Sequence, residues 1–121
     1  GAHGKVLTYG LGLGYFAYMV SEKESVSSVT IVERDKNAIS LFRDIILPQM
    51  PRKDKINIIC DDAFYFAETR LADSDFDFVF ADIWHDPSDG VPAYKRLKAT
   101  EKYLPSADFS YWIEKTLKCY I

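Results

Sequence analysis

A chain of 121 residues, 48% apolar and 15% aromatic, can bury roughly two-thirds of the surface its unfolded form exposes, which fits one globular domain and excludes disorder. A formal net charge of −3 supplies no basic footprint, so neither nucleic acid nor an anionic membrane is expected as a partner. Cys60 and Cys119 are too few for a disulfide framework and lack metal-ligand spacing, and no membrane-length apolar run or signal peptide is visible, so a cytoplasmic setting is expected. The chain opens Gly-Ala-His-Gly and its first strand begins almost at once, so upstream sequence is expected to be missing and the domain to be a fragment of a longer chain.

Val6 to Tyr9 reads as a short apolar strand that runs into Gly10, Gly12 and Gly14, with an apolar helix from about Tyr15 to Val20. Glycines at a strand-to-helix junction permit positive φ and let a ligand approach the backbone, while the helix start offers N–H donors. A turn serving chain reversal alone is the alternative. A dinucleotide loop, Gly-x-Gly-x-x-Gly, needs glycine where this chain has Tyr15, which disfavours an NAD-binding domain.

After a polar break from Glu22 to Ser28, Val29 to Val32 forms a β-branched strand ending in Glu33, 19 positions beyond Gly14. A carboxylate there has two acceptor oxygens to match the vicinal hydroxyls of a ribose, a solvated acid at a strand end being the alternative. Asp35 suits an N-cap for a helix whose inward face carries Ala38, Ile39, Phe42, Ile45 and Ile46, and Pro48 and Pro51 end it. Lys55 to Cys60 is a third strand. It leads through Asp61 and Asp62 into a helix from Ala63 to Leu71, where Asp62 is equally suited to cap that helix. Phe64 fits the core or an aromatic slot.

Phe76 to Ala81 is a nearly continuous apolar strand, as expected of a central parallel strand covered on both faces. Asp82 closes it, and Asp82, His85, Asp86 and Asp89 crowd three carboxylates and an imidazole into eight positions. A helix from about Pro92 to Lys102 and a tail from Asp108, read as a last helix carrying Trp112, Ile113, Leu117 and Ile121, complete the pattern.

Alternating strands and helices predict an α/β, doubly wound parallel sheet, and right-handed crossovers give the order 3-2-1-4. The singled-out residues then follow successive strand ends around the crevice where the order reverses: Gly10 to Gly14, Glu33, Asp62 and Asp82. With fourth-strand apolar residues left at an edge, a homo-oligomer is expected.

Over roughly Val6 to Lys98, the Gly10-x-Gly12-x-Gly14 loop with Glu33 and Asp62-Ala63 resembles the class I S-adenosylmethionine-dependent methyltransferases, nearest to their spermidine synthase-like branch. That resemblance implies S-adenosylmethionine, or decarboxylated S-adenosylmethionine, as cofactor, with Glu33 on ribose and Asp62 on the adenine amino group. It implies methyl transfer, with aminopropyl transfer as the alternative, to a small-molecule acceptor that the sequence leaves unidentified. Spermidine synthases carry an Asp at the fourth strand end, then Asp-Pro after two residues; here Asp82-Ile-Trp-His-Asp86-Pro87 is one residue longer, and Asp82 matches the amine-deprotonating base, a capping or loop-ordering carboxylate being the alternative. A magnesium site among Asp82, His85, Asp86 and Asp89 is a minor alternative. Thr8 replaces the acid usual two positions before the first glycine, and four strands stand against a seven-stranded family core, so the domain is expected to be truncated. Thr8 and the displaced Asp86-Pro87 register leave open a non-catalytic nucleotide-binding or interaction module.

Overall fold

The computed structural model describes residues 1–11, 14–81 and 87–111. Its strands are β1 (Gly4–Tyr9), β2 (Val26–Glu33), β3 (Ile56–Cys60), β4 (Phe78–Ala81) and β5 (Asp108–Tyr111), and its α-helices are α1 (Tyr15–Ser21), α2 (Lys36–Leu41), α3 (Ala63–Thr69) and α4 (Pro87–Lys98). The strands form one parallel sheet in the order β3-β2-β1-β4-β5. This is the expected doubly wound arrangement with one strand more.

Two-residue alternation along the strands sorts the core into two layers. Leu7 and Tyr9 of β1, Val32, Val79 and Ala81 pack with Phe66 and Ala67 of α3 and Tyr94 and Leu97 of α4. Val6, Val29, Ile31 and Phe78 face the other way, against Ala17 and Val20 of α1, Phe42 and Met50. Leu7, Leu71 and Leu97 are almost wholly buried, and each such side chain contributes about 1.5–3 kcal/mol. Burial on both faces explains why β1 and β4 lack a polar alternation.

Several elements depart from the sequence expectation. β2 begins at Val26, inside the expected polar break, because Val26 is buried and pairs with Gly4. Beyond α2 the chain continues as a π-helical turn, Phe42–Ile46, then a 3₁₀ turn, Leu47–Gln49, containing Pro48. The wider turn keeps Phe42 buried but swings Ile45 outward, where it is half exposed. α4 begins at Pro87, five residues earlier than expected; proline suits a first helical position because its missing N–H would have no partner there.

The largest correction concerns the tail. Asp108 to Tyr111 pairs with β4 in parallel, Phe78 opposite Asp108 and Ala81 opposite Tyr111. Alternating Phe109 and Tyr111 is a strand signal too short to stand out before a longer apolar run. β4 is thus an interior strand, and the uncovered edge that motivated an expected oligomer is absent at that position. Trp112, Ile113, Leu117 and Ile121 lie outside the described residues.

Candidate functional site

Register places Ile59, Val32, Tyr9, Ala81 and Tyr111 in one row across the carboxyl end of the sheet. The strand order reverses between β1 and β4, so their ends flank the ligand crevice of such folds. At Gly10 the chain turns with φ of 86°, and its N–H donates to the Val32 carbonyl at 2.8 Å, fastening the loop to β2. Gly14 occupies the N-cap of α1 at φ 78°, a left-handed conformation costly for any residue with a Cβ. Its N–H donates to Leu11 and its carbonyl accepts from Tyr18, at 2.8 and 3.0 Å. Gly12 lies outside the described residues.

Glu33 joins this loop to the end of β2. Its Oε1 accepts from the Leu11 N–H at 2.8 Å and its Oε2 accepts from Asp35 N–H at 3.0 Å. The Glu33 carbonyl accepts from Asp61 N–H at 3.1 Å, which ties the end of β3 to the same point. Three strand ends therefore converge on one residue. Each carboxylate oxygen retains a lone pair beyond the backbone bond it already accepts.

Asp35 caps α2 as expected, accepting from Asn37 and Ala38 N–H groups. Asp62 caps α3: Oδ1 accepts from Tyr65 N–H at 2.9 Å. Oδ2 lies 3.6 Å from Arg34 Nη1. Ala63 is the first residue of α3 and packs, with Phe64, against the core layer under that helix. Phe64 is covered by Arg96, whose guanidinium carbon lies 4.6 Å from the ring centroid and whose fork pairs with Glu68. Arg96 holds the Glu68 carboxyl below the usual carboxylate range, chiefly through these hydrogen bonds.

Capping and ligand roles at Asp62 separate by substitution. Asp62→Ala is expected to cost about 1 kcal/mol through the lost cap, whereas Asp62→Asn caps equally well and stays within about 0.5 kcal/mol of the parent in urea unfolding. Equal losses in both would mean that the carboxylate's charge, not its capping oxygen, sustains α3.

Thr8 is buried, and its hydroxyl donates to the Gly10 carbonyl at 3.3 Å, so it closes on the loop backbone. Asp82, the expected base, lies outside the described residues with His85 and Asp86. Among the described residues no cluster of His, Cys, Asp and Glu could hold a metal ion. No helix among them is long and apolar enough to cross a membrane.

Two residues beside the candidate site escaped the sequence reading. Tyr9, taken there as a strand end, is 1% exposed, and its hydroxyl has no hydrogen-bond partner among the described residues; burial pushes the phenol far above its ordinary pKa. Arg34, lying between Glu33 and Asp35, gave no signal beyond its charge.

No protein-family model and no curated protein sequence matches the chain. Solved structures do. Human methyltransferase-like protein 13 in complex with SAH superposes with a TM-score of 0.64 at 16% identity, over 96% of this chain and 58% of that one. A methyltransferase described as putative from Thermoplasma acidophilum gives 0.63 at 17% identity, over 91% and 44%. Spermidine synthase from Thermotoga maritima gives 0.60 at 18% identity, over 90% and 38%. The chain thus has the fold of the class I S-adenosylmethionine-dependent methyltransferases, which spermidine synthase shares. It spans about two-fifths to three-fifths of the length of these structures.

Proposed function

We propose that this chain is the cofactor-binding part of an S-adenosylmethionine-dependent transferase, a methyltransferase of the spermidine synthase-like group. The observation that carries the proposal is Glu33: a carboxylate at the second strand end, already engaged with the glycine loop through Leu11 and bonded through its own carbonyl to the third strand end. Its acceptor chemistry fits the two ribose hydroxyls of an adenosyl ligand, and Asp62 lies one strand further along for the adenine amino group. The SAH named with the human structure supports the same ligand class.

The cofactor supplies a carbon activated by an adjacent sulfonium. Glu33 orients the ribose, the turn at Gly10 lets the ligand approach the backbone, and Asp62 fixes the purine; alignment of this kind accounts for much of the rate in a direct displacement. Asp82 is assigned as the base that takes the proton from an amine acceptor. The acceptor is a small molecule.

Calorimetric titration with S-adenosylmethionine, S-adenosylhomocysteine, decarboxylated S-adenosylmethionine and NADH tests the proposal. Adenosyl ligands bind and NADH does not. Glu33→Ala weakens that binding by about tenfold to a hundredfold, as expected for lost hydrogen bonds to a charged group. Glu33→Ala also releases two backbone N–H groups, so its melting profile is read beside the titration. Preference for the decarboxylated ligand points to aminopropyl transfer instead. Absence of adenosyl binding, or binding indifferent to Glu33→Ala, sinks the assignment.

The burial of Thr8 favours a second reading, a module that binds without turnover. Its hydroxyl donates to the Gly10 carbonyl and carries no charge to anchor the amino end of the ligand. Tight binding with no transfer to any amine, hydroxyl or thiol acceptor selects it.

A further inference from the structure

Tyr9 carries the one buried polar side-chain atom among the described residues that no other group satisfies. Its ring is almost wholly buried in the core layer with Phe66, edge to face at a centroid separation of 6.4 Å. Burying a hydroxyl without a partner is costly, and phenylalanine would fill the same space without that cost. A group held in this state is explained by a partner that arrives with a ligand. Position says which partner. β1 ends at Tyr9 and β4 at Ala81, paired side by side where the strand order reverses, so Tyr9 stands at the crevice. Thr8, one residue back, points to the opposite face of the sheet and closes on the glycine loop, whereas Tyr9 packs on the side of α3 and α4. The adenosyl ligand is assigned to the loop and to the ends of β2 and β3. Tyr9 is left on the β4 side, where the second reactant must approach. Its neighbour in that direction, Ala81, presents only a methyl group, and the next phenol in the row, Tyr111, donates its hydroxyl to Glu101 at 2.6 Å.

We propose that the Tyr9 hydroxyl accepts a hydrogen bond from the nitrogen of the amine that receives the transferred group, which makes Tyr9 an acceptor-binding, specificity-determining residue. This rests on the transferase reading above, with an amine as the acceptor. A phenol oxygen has lone pairs to take one N–H of that amine. Burial holds the phenol well above its ordinary pKa, so it stays protonated and orients the nitrogen without acting as a base. In the displacement the nitrogen lone pair forms the new N–C bond and the C–S pair leaves on sulfur. The amine proton passes to Asp82, and Tyr9 keeps its own. Without the amine the same hydroxyl is unsatisfied, so Tyr9→Phe exchanges acceptor binding for stability.

Tyrosine labelled with carbon-13 at Cζ reports the hydroxyl by NMR, and the line missing from Tyr9→Phe is that of Tyr9. The protein is saturated with S-adenosylhomocysteine and titrated with n-propylamine or with propyltrimethylammonium, a related cation that has no N–H. Propylamine moves the Tyr9 line saturably and propyltrimethylammonium does not. Tyr9→Phe binds S-adenosylhomocysteine as the wild type does and melts at or above the wild-type temperature. It binds propylamine about fivefold more weakly, as expected for one lost hydrogen bond. A Tyr9 line that ignores propylamine, or that follows both cations alike, overturns the proposal, as does equal affinity of Tyr9→Phe for propylamine. A lower melting temperature in Tyr9→Phe overturns it too, because the hydroxyl would then serve the fold. Binding of S-adenosylhomocysteine with a silent Tyr9 removes the role of Tyr9 alone. A wild-type protein that does not bind S-adenosylhomocysteine removes the adenosyl reading and this one together.

Discussion

Gly14→Ala lowers the stability of this domain by about 2–5 kcal/mol, the sum of a left-handed backbone penalty of about 1–2 and an overpacking cost of about 1–3 kcal/mol. The first part follows from φ of +78° at the N-cap of α1. The second follows from the neighbour that a methyl group would meet: an ideal Cβ on Gly14 lies 2.9 Å from both Cδ1 and Cε1 of Phe42. Phe42 cannot yield cheaply, because it is 1% exposed and belongs to the core layer under α1. Urea unfolding of Gly14→Ala, Phe42→Leu and the double variant separates the two parts. A coupling of at least about 1 kcal/mol between the sites is expected if the ring is the obstacle, and additivity would place the whole cost in the backbone. A loss below about 1 kcal/mol in Gly14→Ala would contradict both.

The same contact has a functional consequence. Phe42 opens the π-helical turn after α2, and α2 is capped by Asp35, whose N–H donates to Glu33. Glu33 in turn accepts from Leu11 within the glycine loop. The loop thus meets an aromatic ring at Gly14 and a carboxylate at Leu11, the first supplied by the turn after α2 and the second by the end of β2. Gly14→Ala is therefore expected to disturb ligand affinity as well as folding, whereas a core truncation remote from the loop, such as Leu71→Ala, lowers stability alone.

What could be read from the residues is what local chemistry enforces. Glycine spacing, β-branched runs and single apolar strands set four strands in their correct order, because each signal is contained within a few positions. Asp35 as a cap was legible for the same reason: the side chain acts on N–H groups two and three residues away. β5 was not legible, since four residues pairing with Phe78 to Ala81 owe their conformation to a partner thirty positions earlier in the chain. Ile45 was misplaced because the periodicity assumed a regular α-helix, and the π turn that rotates it outward is a packing outcome around Phe42. At the candidate site, Glu33 and Asp62 were singled out by their position at a strand end, but the Leu11–Glu33 bond and the reach of Arg34 to Asp62 span 22 and 28 positions and exist only in the fold.

Stability falls steeply above about pH 10, where unfolded tyrosines begin to ionise, and Tyr9 and Tyr111 are responsible. Burial raises the pKa of both phenols; at Tyr111 the hydroxyl also donates to the Glu101 carboxylate at 2.6 Å, which favours the protonated form further. Below the unfolded pKa both states carry the proton and these groups produce no pH dependence. Above it the unfolded chain binds fewer protons than the folded one, so unfolding is favoured, by about 1.4 kcal/mol per pH unit for Tyr9 until the folded pKa is reached, with Tyr111 acting in the same direction. Urea midpoints at pH 8, 10 and 11 measure the slope, and Tyr9→Phe removes its own share.

At neutral pH the two phenols diverge. Tyr111→Phe loses a bond to a charged acceptor and costs about 1.5–3 kcal/mol, while Tyr9→Phe is neutral or stabilising, because it discards a buried hydroxyl without a partner among the described residues. If Tyr9→Phe instead destabilises by more than about 1 kcal/mol at pH 7, the hydroxyl has a partner beyond those residues.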